Sequence, residues 1–178
     1  YMYHDAILGR FAATSELVGL CDTNAGRVKL SRDRAKAKTG ADVPGYAAAD
    51  FDKMIAETKP DAVIVTTVDA FHHEYICRAL ELGADAIIQK PMTNRAEHCR
   101  RVLEAVKKTG RRLRVTFNYR YSPPRTQVKD LLMSGVIGDI LSVDFHWMLN
   151  TSHGTDYFRR WHSQKKFSNG LMCHKACH

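Results

Sequence analysis

Residues 84–91 read A-D-A-I-I-Q-K-P. Ala86, Ile87 and Ile88 form a short, unbroken apolar run, the pattern of a parallel strand buried on both faces. Lys90 follows at the carboxyl end, and Pro91 fixes the turn while denying the strand a further donor. In an open α/β sheet, ligands bind outside the carboxyl ends of the strands. Lys90 stands at that position. Taken alone it reads equally as a solvated strand-end lysine, so the surrounding pattern has to decide.

Downstream, the pattern predicts a helix over residues 94–109, opened by Asn94 and Glu97 at capping-box spacing. Cys99, Val102, Leu103 and Val106 would line its buried face, and Gly110 would end it. A strand over 113–117 and a helix over 122–134, with prolines in its first turn, come next. Upstream, 61–67 (D-A-V-I-V-T-T) is a buried strand, and 71–82 a helix ended by Gly83. Before these lie a helix over 50–57, a weak strand at Tyr46 and a helix over 24–38 that stops at Gly40. Residues 16–21 (E-L-V-G-L-C) form a strand with Asp22 at its end, and 1–11 the tail of an amphipathic helix. Strands alternating with helices imply an α/β fold with a doubly wound parallel sheet. After Gly138 the pattern changes. Residues 140–148 alternate through Leu141, Val143, Phe145 and Trp147 as a long strand, followed by an aromatic and basic loop. A domain boundary is expected between 119 and 138, giving one domain over 1–120 and the beginning of a second over 121–178.

With 178 residues and 44% hydrophobic content, the chain can bury a core. No apolar run is long enough to span a membrane, and no signal peptide opens the sequence. The five cysteines lie mostly inside predicted elements, which reads as a reducing, cytoplasmic setting rather than a disulfide framework. The net charge is +8, with eight basic residues between 95 and 114. No aromatic residues interleave with them and no helix-turn-helix or zinc-finger spacing occurs. They read as a solvated helix face, so no nucleic-acid partner is expected; a cofactor carrying phosphates would tolerate the field. The chain opens and closes within helical patterns, as a segment of a longer polypeptide would.

Three constellations carry chemistry. Asp22, at the end of its strand, suits the hydroxyls of an adenosine ribose and would repel a 2′-phosphate; it reads equally as a cap for the next helix. The glycine fingerprint G-x-G-x-x-G that accompanies such a carboxylate is absent and belongs before Tyr1. The strand that carries it is central in the order 3-2-1-4-5-6, so its omission should leave an unsatisfied sheet. Thr66, Thr67, Asp69 and His72 sit between a strand end and a helix start, where hydroxyls suit ribose or diphosphate oxygens; a capped helix explains them nearly as well. Finally, residues 173–178 read C-H-K-A-C-H. On a helix His174 and His178 lie one turn apart, and could bind zinc, share acid–base work or pack as core histidines. Zinc would need a third ligand, for which His146, His153 and His162 are candidates without diagnostic spacing.

In combination these stretches resemble the Gfo/Idh/MocA family of dinucleotide-dependent oxidoreductases. The matching landmarks are E-L-V-G-L-C-D (16–22), T-T-V-D-A-F-H-H-E-Y (66–75), Q-K-P-M-T (89–93), N-Y-R-Y-S-P (118–123), S-G-V-I-G-D (134–139) and G-L-M-C-H-K-A-C-H (170–178). Each is weak; their order and spacing are specific.

The resemblance implies a Rossmann domain followed by an α/β domain with a mostly antiparallel sheet, and a homo-oligomer, dimer or tetramer. It implies NAD as cofactor, favoured over NADP by Asp22 although Arg27 and Arg32 lie close in sequence. The substrate class would be a sugar, inositol or related polyol. Asp22, Thr66, Thr67, Asp69, His72, Gln89, Lys90 and Arg120 would hold the cofactor, with Tyr121 beside Arg120. Lys90, His153, Tyr157, Arg159, Trp161, His162 and His174 would meet the substrate. The family motif at 89–91 is E-K-P, so Gln89 removes a charge. Where many family members carry an aspartate and, four residues on, the histidine taken as general base, this chain has His174 and His178. Lys90, His178 and His174 are therefore the expected catalytic groups. A non-catalytic sugar- or dinucleotide-sensing protein of the same fold, or a zinc-dependent hydrolase, would be the alternatives.

Overall fold

A computed structural model describes residues 2–148 and 150–178 of the chain, apart from the side chain of His153. Helix α1 (Met2–Ile7) precedes β1 (Leu20–Asp22), α2 (Ala25–Thr39), β2 (Gly45–Ala47), α3 (Phe51–Thr58), β3 (Ala62–Val65) and α4 (His72–Glu81). There follow β4 (Asp85–Gln89), α5 (Ala96–Thr109), β5 (Leu113–Thr116), α6 (Pro123–Met133), α7 (Thr151–Arg159), α8 (Lys165–Ser168) and α9 (Leu171–His174).

The expected alternation of strand and helix holds through β5. β1 and β2 pair in parallel, with Leu20, Cys21 and Asp22 opposite Gly45, Tyr46 and Ala47. A second sheet has the order β3-β4-β5. On the doubly wound numbering 3-2-1-4-5-6, these sheets correspond to the 3-2 and 4-5-6 wings. Among the described residues no strand corresponds to the one numbered 1 in that order.

Packing divides the chain into two compact units that interleave along the sequence: residues 1–64, 77–86 and 105–112 in the first, and 65–76, 87–104 and 113–178 in the second. In the first, Leu8, Ala35 and Val43 form a core flanked by Leu17 and Leu20. Asn24 caps α2 by accepting from the Arg27 N–H at 3.2 Å, which satisfies one of the donors a helix start leaves open. Gly45 is required by close approach: a Cβ there would stand 2.3 Å from Val28 Cγ1. Helix α4 ends as its glycine predicts. Gly83, at φ +90°, donates to Leu80 O while Ala84 donates back to Ala79 O, the paired closure of a Schellman turn. In the second unit Val65, Ile76, Ile88 and Val102 are buried, and the Thr116 hydroxyl donates to Ile88 O at 3.0 Å.

Four local expectations are corrected. Leu103 is 53% exposed, and Ala105 joins Val102 on the buried face of α5 instead, so the stripe is rotated and carried by a smaller side chain. Asn94 does not cap α5. Its buried amide donates to Lys166 O and Phe167 O at 3.3 and 3.0 Å, carbonyls near a helix end that lack partners within the helix, while Glu97 pairs with Arg95. Residues 140–148 form no strand: Leu141, Val143 and Phe145 are 94, 81 and 73% exposed. Alternation needs a neighbouring strand to accept its ladder, and the described residues supply none. Finally, α9 is a single turn, because Ala176 N–H closes back on Leu171 O at 3.2 Å. His178 therefore lies beyond the helix, and the two histidines do not share a helical face.

Candidate active site at the end of β4

The Lys90–Pro91 peptide is cis, and Lys90 is only 7% exposed. Its Nζ donates to His174 O at 2.8 Å. The Cys177 thiol donates to the same carbonyl at 3.4 Å, so an ammonium and a thiol share one acceptor. Burial pulls the Lys90 pKa below the ordinary lysine value, an effect opposed by the fields of Cys177 and Asp69. Burial conversely pushes the Cys177 thiol up.

Asp69 lies in the 3-10 turn that leads into α4 and is 2% exposed. Its Oδ2 lies 2.5 Å from His174 Nδ1. A carboxylate this deeply buried requires such a partner. His72 is also buried: its Nδ1 lies 2.9 Å from Pro91 O and its Nε2 3.0 Å from Thr67 O. That ring thus ties the turn after β4 to the turn after β3, and its Nε2 stands 4.0 Å from Asp69 Oδ1.

Aromatic rings surround His174. Trp161 and Tyr157 meet it edge-on at centroid distances of 5.4 and 5.6 Å, and His162, itself stacked on Trp161, lies at 4.9 Å. His178 packs against Tyr119 and Phe117 at 4.7 and 6.3 Å. Its Nδ1 is buried without a hydrogen-bond partner. Burial, reinforced by the Lys90, Lys175 and Arg125 charges, holds its pKa down to about 4.

The structure thus brings together Lys90, Asp69, His72, Tyr157, Trp161, His162, His174 and His178. Arg159 is exposed at the end of α7, and His153 lies outside the described side chains. His146 is exposed and pairs with Asp144 at 3.0 Å. Among the described residues no group of three or more His, Cys, Asp or Glu side chains is arranged to hold a metal ion, so the zinc alternative gains no support.

The groups expected to meet a dinucleotide fall into two sets. Asp22 is partly exposed at the carboxyl end of β1; its Oδ1 accepts from the Asn24 N–H at 2.8 Å and faces Arg27 at 3.5 Å. Because Asn24 is the helix cap, Asp22 is left as an oriented strand-end carboxylate that fits ribose hydroxyls. Arg32 is engaged by Val43 O and Asp42. Thr66 and Thr67 are exposed beyond β3, and Gln89 ends β4, positions that fit ribose or diphosphate oxygens. Arg120 is exposed and lies over the Phe117 ring at 5.2 Å, beside an exposed Tyr121. Asp69 and His72, by contrast, spend their polar atoms inside the protein. Sequence reasoning singled out both without their partners; the signal was a buried-strand end followed by acidic and imidazole residues, but the contact of Asp69 with a residue 105 positions away leaves no local pattern.

Residues 1–117 match the family described as oxidoreductase family, NAD-binding Rossmann fold, and residues 129–178 match its C-terminal alpha/beta domain. YteT of Bacillus subtilis, named an oxidoreductase, is 38% identical over 99% of this chain and 41% of its own length. The inositol 2-dehydrogenase of Gluconacetobacter diazotrophicus is 32% identical over 79% of this chain and 40% of its own. The aldose-aldose oxidoreductase of Caulobacter crescentus, solved with glycerol, shares the fold at TM-score 0.73 and 21% identity, covering 94% of this chain and 49% of that one. The chain therefore spans about two fifths of the length of these curated relatives. With both family domains matched in order, the chain belongs to the Gfo/Idh/MocA oxidoreductase family.

Proposed function

We propose that the protein transfers a hydride between NAD and a secondary hydroxyl of a sugar, inositol or related polyol. The observation that carries this reading is the convergence, within one packing unit, of the Lys90 ammonium and the His174 and His178 imidazoles beside Tyr157, Trp161 and His162. Donors flanked by aromatic faces suit a polyhydroxylated ring. The inositol 2-dehydrogenase relative supports the substrate class.

The roles follow from charge and proton inventory. An ammonium has three donors, one of which Lys90 commits to His174 O; the group is then fixed in place to stabilise a developing alkoxide, or to polarise a carbonyl in the reverse direction. An imidazole of the 174/178 pair exchanges the hydroxyl proton. The nicotinamide, when bound, accepts or returns the hydride. Asp22, Thr66, Thr67, Gln89 and Arg120 would hold that cofactor, with His72 and Asp69 supporting the turns from which Thr67 and Lys90 project. Asp22 favours NAD over NADP by repelling a 2′-phosphate. Five free thiols support a reducing, cytoplasmic setting.

The test is NADH formation by the full-length protein across a panel of inositols and aldoses, with fluorescence titration of both cofactors. Turnover with at least one polyol, lost in Lys90→Met while NAD still binds, supports the reading. Cofactor and polyol binding without turnover anywhere in the panel would make the protein a sensor of the same fold, and tighter NADP than NAD binding would overturn the cofactor preference.

A further inference from the structure

We infer that Asp69 is a positioning residue that fixes the tautomer of His174 and thereby makes His174, rather than His178, the proton acceptor of the site. The inference deepens the hydride-transfer reading above and, for the identity of the proton on its way out, rests on it.

The argument begins with one hydrogen bond. Asp69 Oδ2 lies 2.5 Å from His174 Nδ1, and an ionised carboxylate can only accept. Nδ1 must therefore carry the hydrogen, which leaves the neutral ring with its lone pair on Nε2. A partner that fixes one ring nitrogen also fixes the plane of the ring and the direction in which the other points. The pair is well supported. Both side chains are buried, and the Trp161, Tyr157 and His162 rings confine the imidazole on its sides. The His174 backbone carbonyl meanwhile takes the Lys90 ammonium. One residue thus holds the electrophilic group through its main chain and supplies the base through its side chain.

The second half of the argument is electrostatic. A base that accepts a proton becomes a cation, and a buried cation requires a counter-charge. His174 has one in Asp69. The other charged or titratable groups near the pair are Lys90 and Cys177 at the His174 carbonyl, Tyr157 and His162 at its ring, His178, and His72, whose Nε2 stands 4.0 Å from Asp69 Oδ1. Among the described residues His178 has no such counter-charge: its Nδ1 lacks a partner, and the charges that act on it, Lys90, Lys175 and Arg125, are positive. The replacement of the family's aspartate by His174 therefore does not delete the carboxylate–imidazole pair. Its carboxylate comes from the 3-10 turn that leads into α4 instead. In the forward direction a carbinol loses its O–H proton to His174 Nε2 and its C–H hydride to the oxidised nicotinamide, and a C=O bond forms with no other reactant.

The experiment is a long-range ¹H–¹⁵N correlation spectrum of the full-length protein labelled in histidine, with the His174 ring assigned by its loss in His174→Asn. The expected result is an Nδ1–H tautomer in the wild type that shifts toward Nε2–H in Asp69→Asn and returns in Asp69→Glu. In turnover, Asp69→Asn should lower kcat about 100-fold with little change in KM. His174→Asn should cost at least about tenfold more in kcat than His178→Asn. A wild-type Nε2–H tautomer, a tautomer indifferent to Asp69→Asn, or the reverse order of the two histidine variants would overturn the inference. A correct tautomer in a protein that reduces no NAD on any polyol would overturn hydride transfer alone and leave the positioned acceptor standing.

Discussion

Two buried histidine arrangements within the second packing unit differ in one respect. His174 is held through Nδ1 by the Asp69 carboxylate. His73 is stacked face to face on His98, with ring centroids 3.5 Å apart and planes 11° from parallel, and its buried Nδ1 has no hydrogen-bond partner among the described residues. Burial, helped by the neighbouring His98, lowers the His73 pKa, so this ring stays neutral and serves as a flat packing surface. Burial alone turns an imidazole into packing. A carboxylate on one nitrogen fixes the ring and stands ready as a counter-charge.

That contrast can be broken in order of effect. Lys90→Met should cause the largest loss, about 10²–10³-fold in kcat with NAD affinity retained, measured by NADH formation and fluorescence titration. Asp22→Ala should weaken NAD binding about tenfold and narrow the difference between the two cofactors, read by the same titration. His73→Phe preserves a flat ring without the unpartnered nitrogen, so kcat should stay within about twofold and stability within about 1 kcal/mol, measured by turnover and urea unfolding. A loss comparable to that of Lys90→Met would erase the distinction between the two histidine arrangements.

A separate effect is on the pH dependence of stability. The His178 pKa is lowered from 6.5 to about 4 in the folded protein, so below pH 6.5 the unfolded chain binds the proton that the folded chain refuses. Its contribution is complete above about pH 6.5, declines as pH falls toward about 4, and is constant below that. Urea midpoints measured across this window should fall less steeply in His178→Asn than in the wild type; parallel curves would show that His178 is accessible to the proton in the folded state.

What could be read from the sequence was whatever depends on neighbours along the chain. The β4 run, the glycine that ends α4, the proline-led start of α6 and the strand–helix alternation up to β5 all follow from local pattern, and each is present. Lys90 was placed by the rule for strand ends. What escaped depends on partners distant in sequence. Asn94 has the spacing of a helix cap, but carbonyls more than seventy residues away claim its amide. Residues 140–148 have the alternation of a strand and no ladder to join. Asp69 has the identity of a cap or ribose ligand, yet its carboxylate is spent on His174. Periodicity reports which face is apolar, not which polar group will arrive to satisfy a buried one.

The most direct test of the account is the fate of a deuterium at the reacting carbon. Full-length protein incubated with NAD and inositols or aldoses carrying deuterium on their carbinol carbons should yield NADH labelled at the nicotinamide C4, and Lys90→Met should slow that labelling about 10²–10³-fold without abolishing NAD binding. Product formed with the deuterium lost to water, or label transfer undiminished in Lys90→Met, would contradict it.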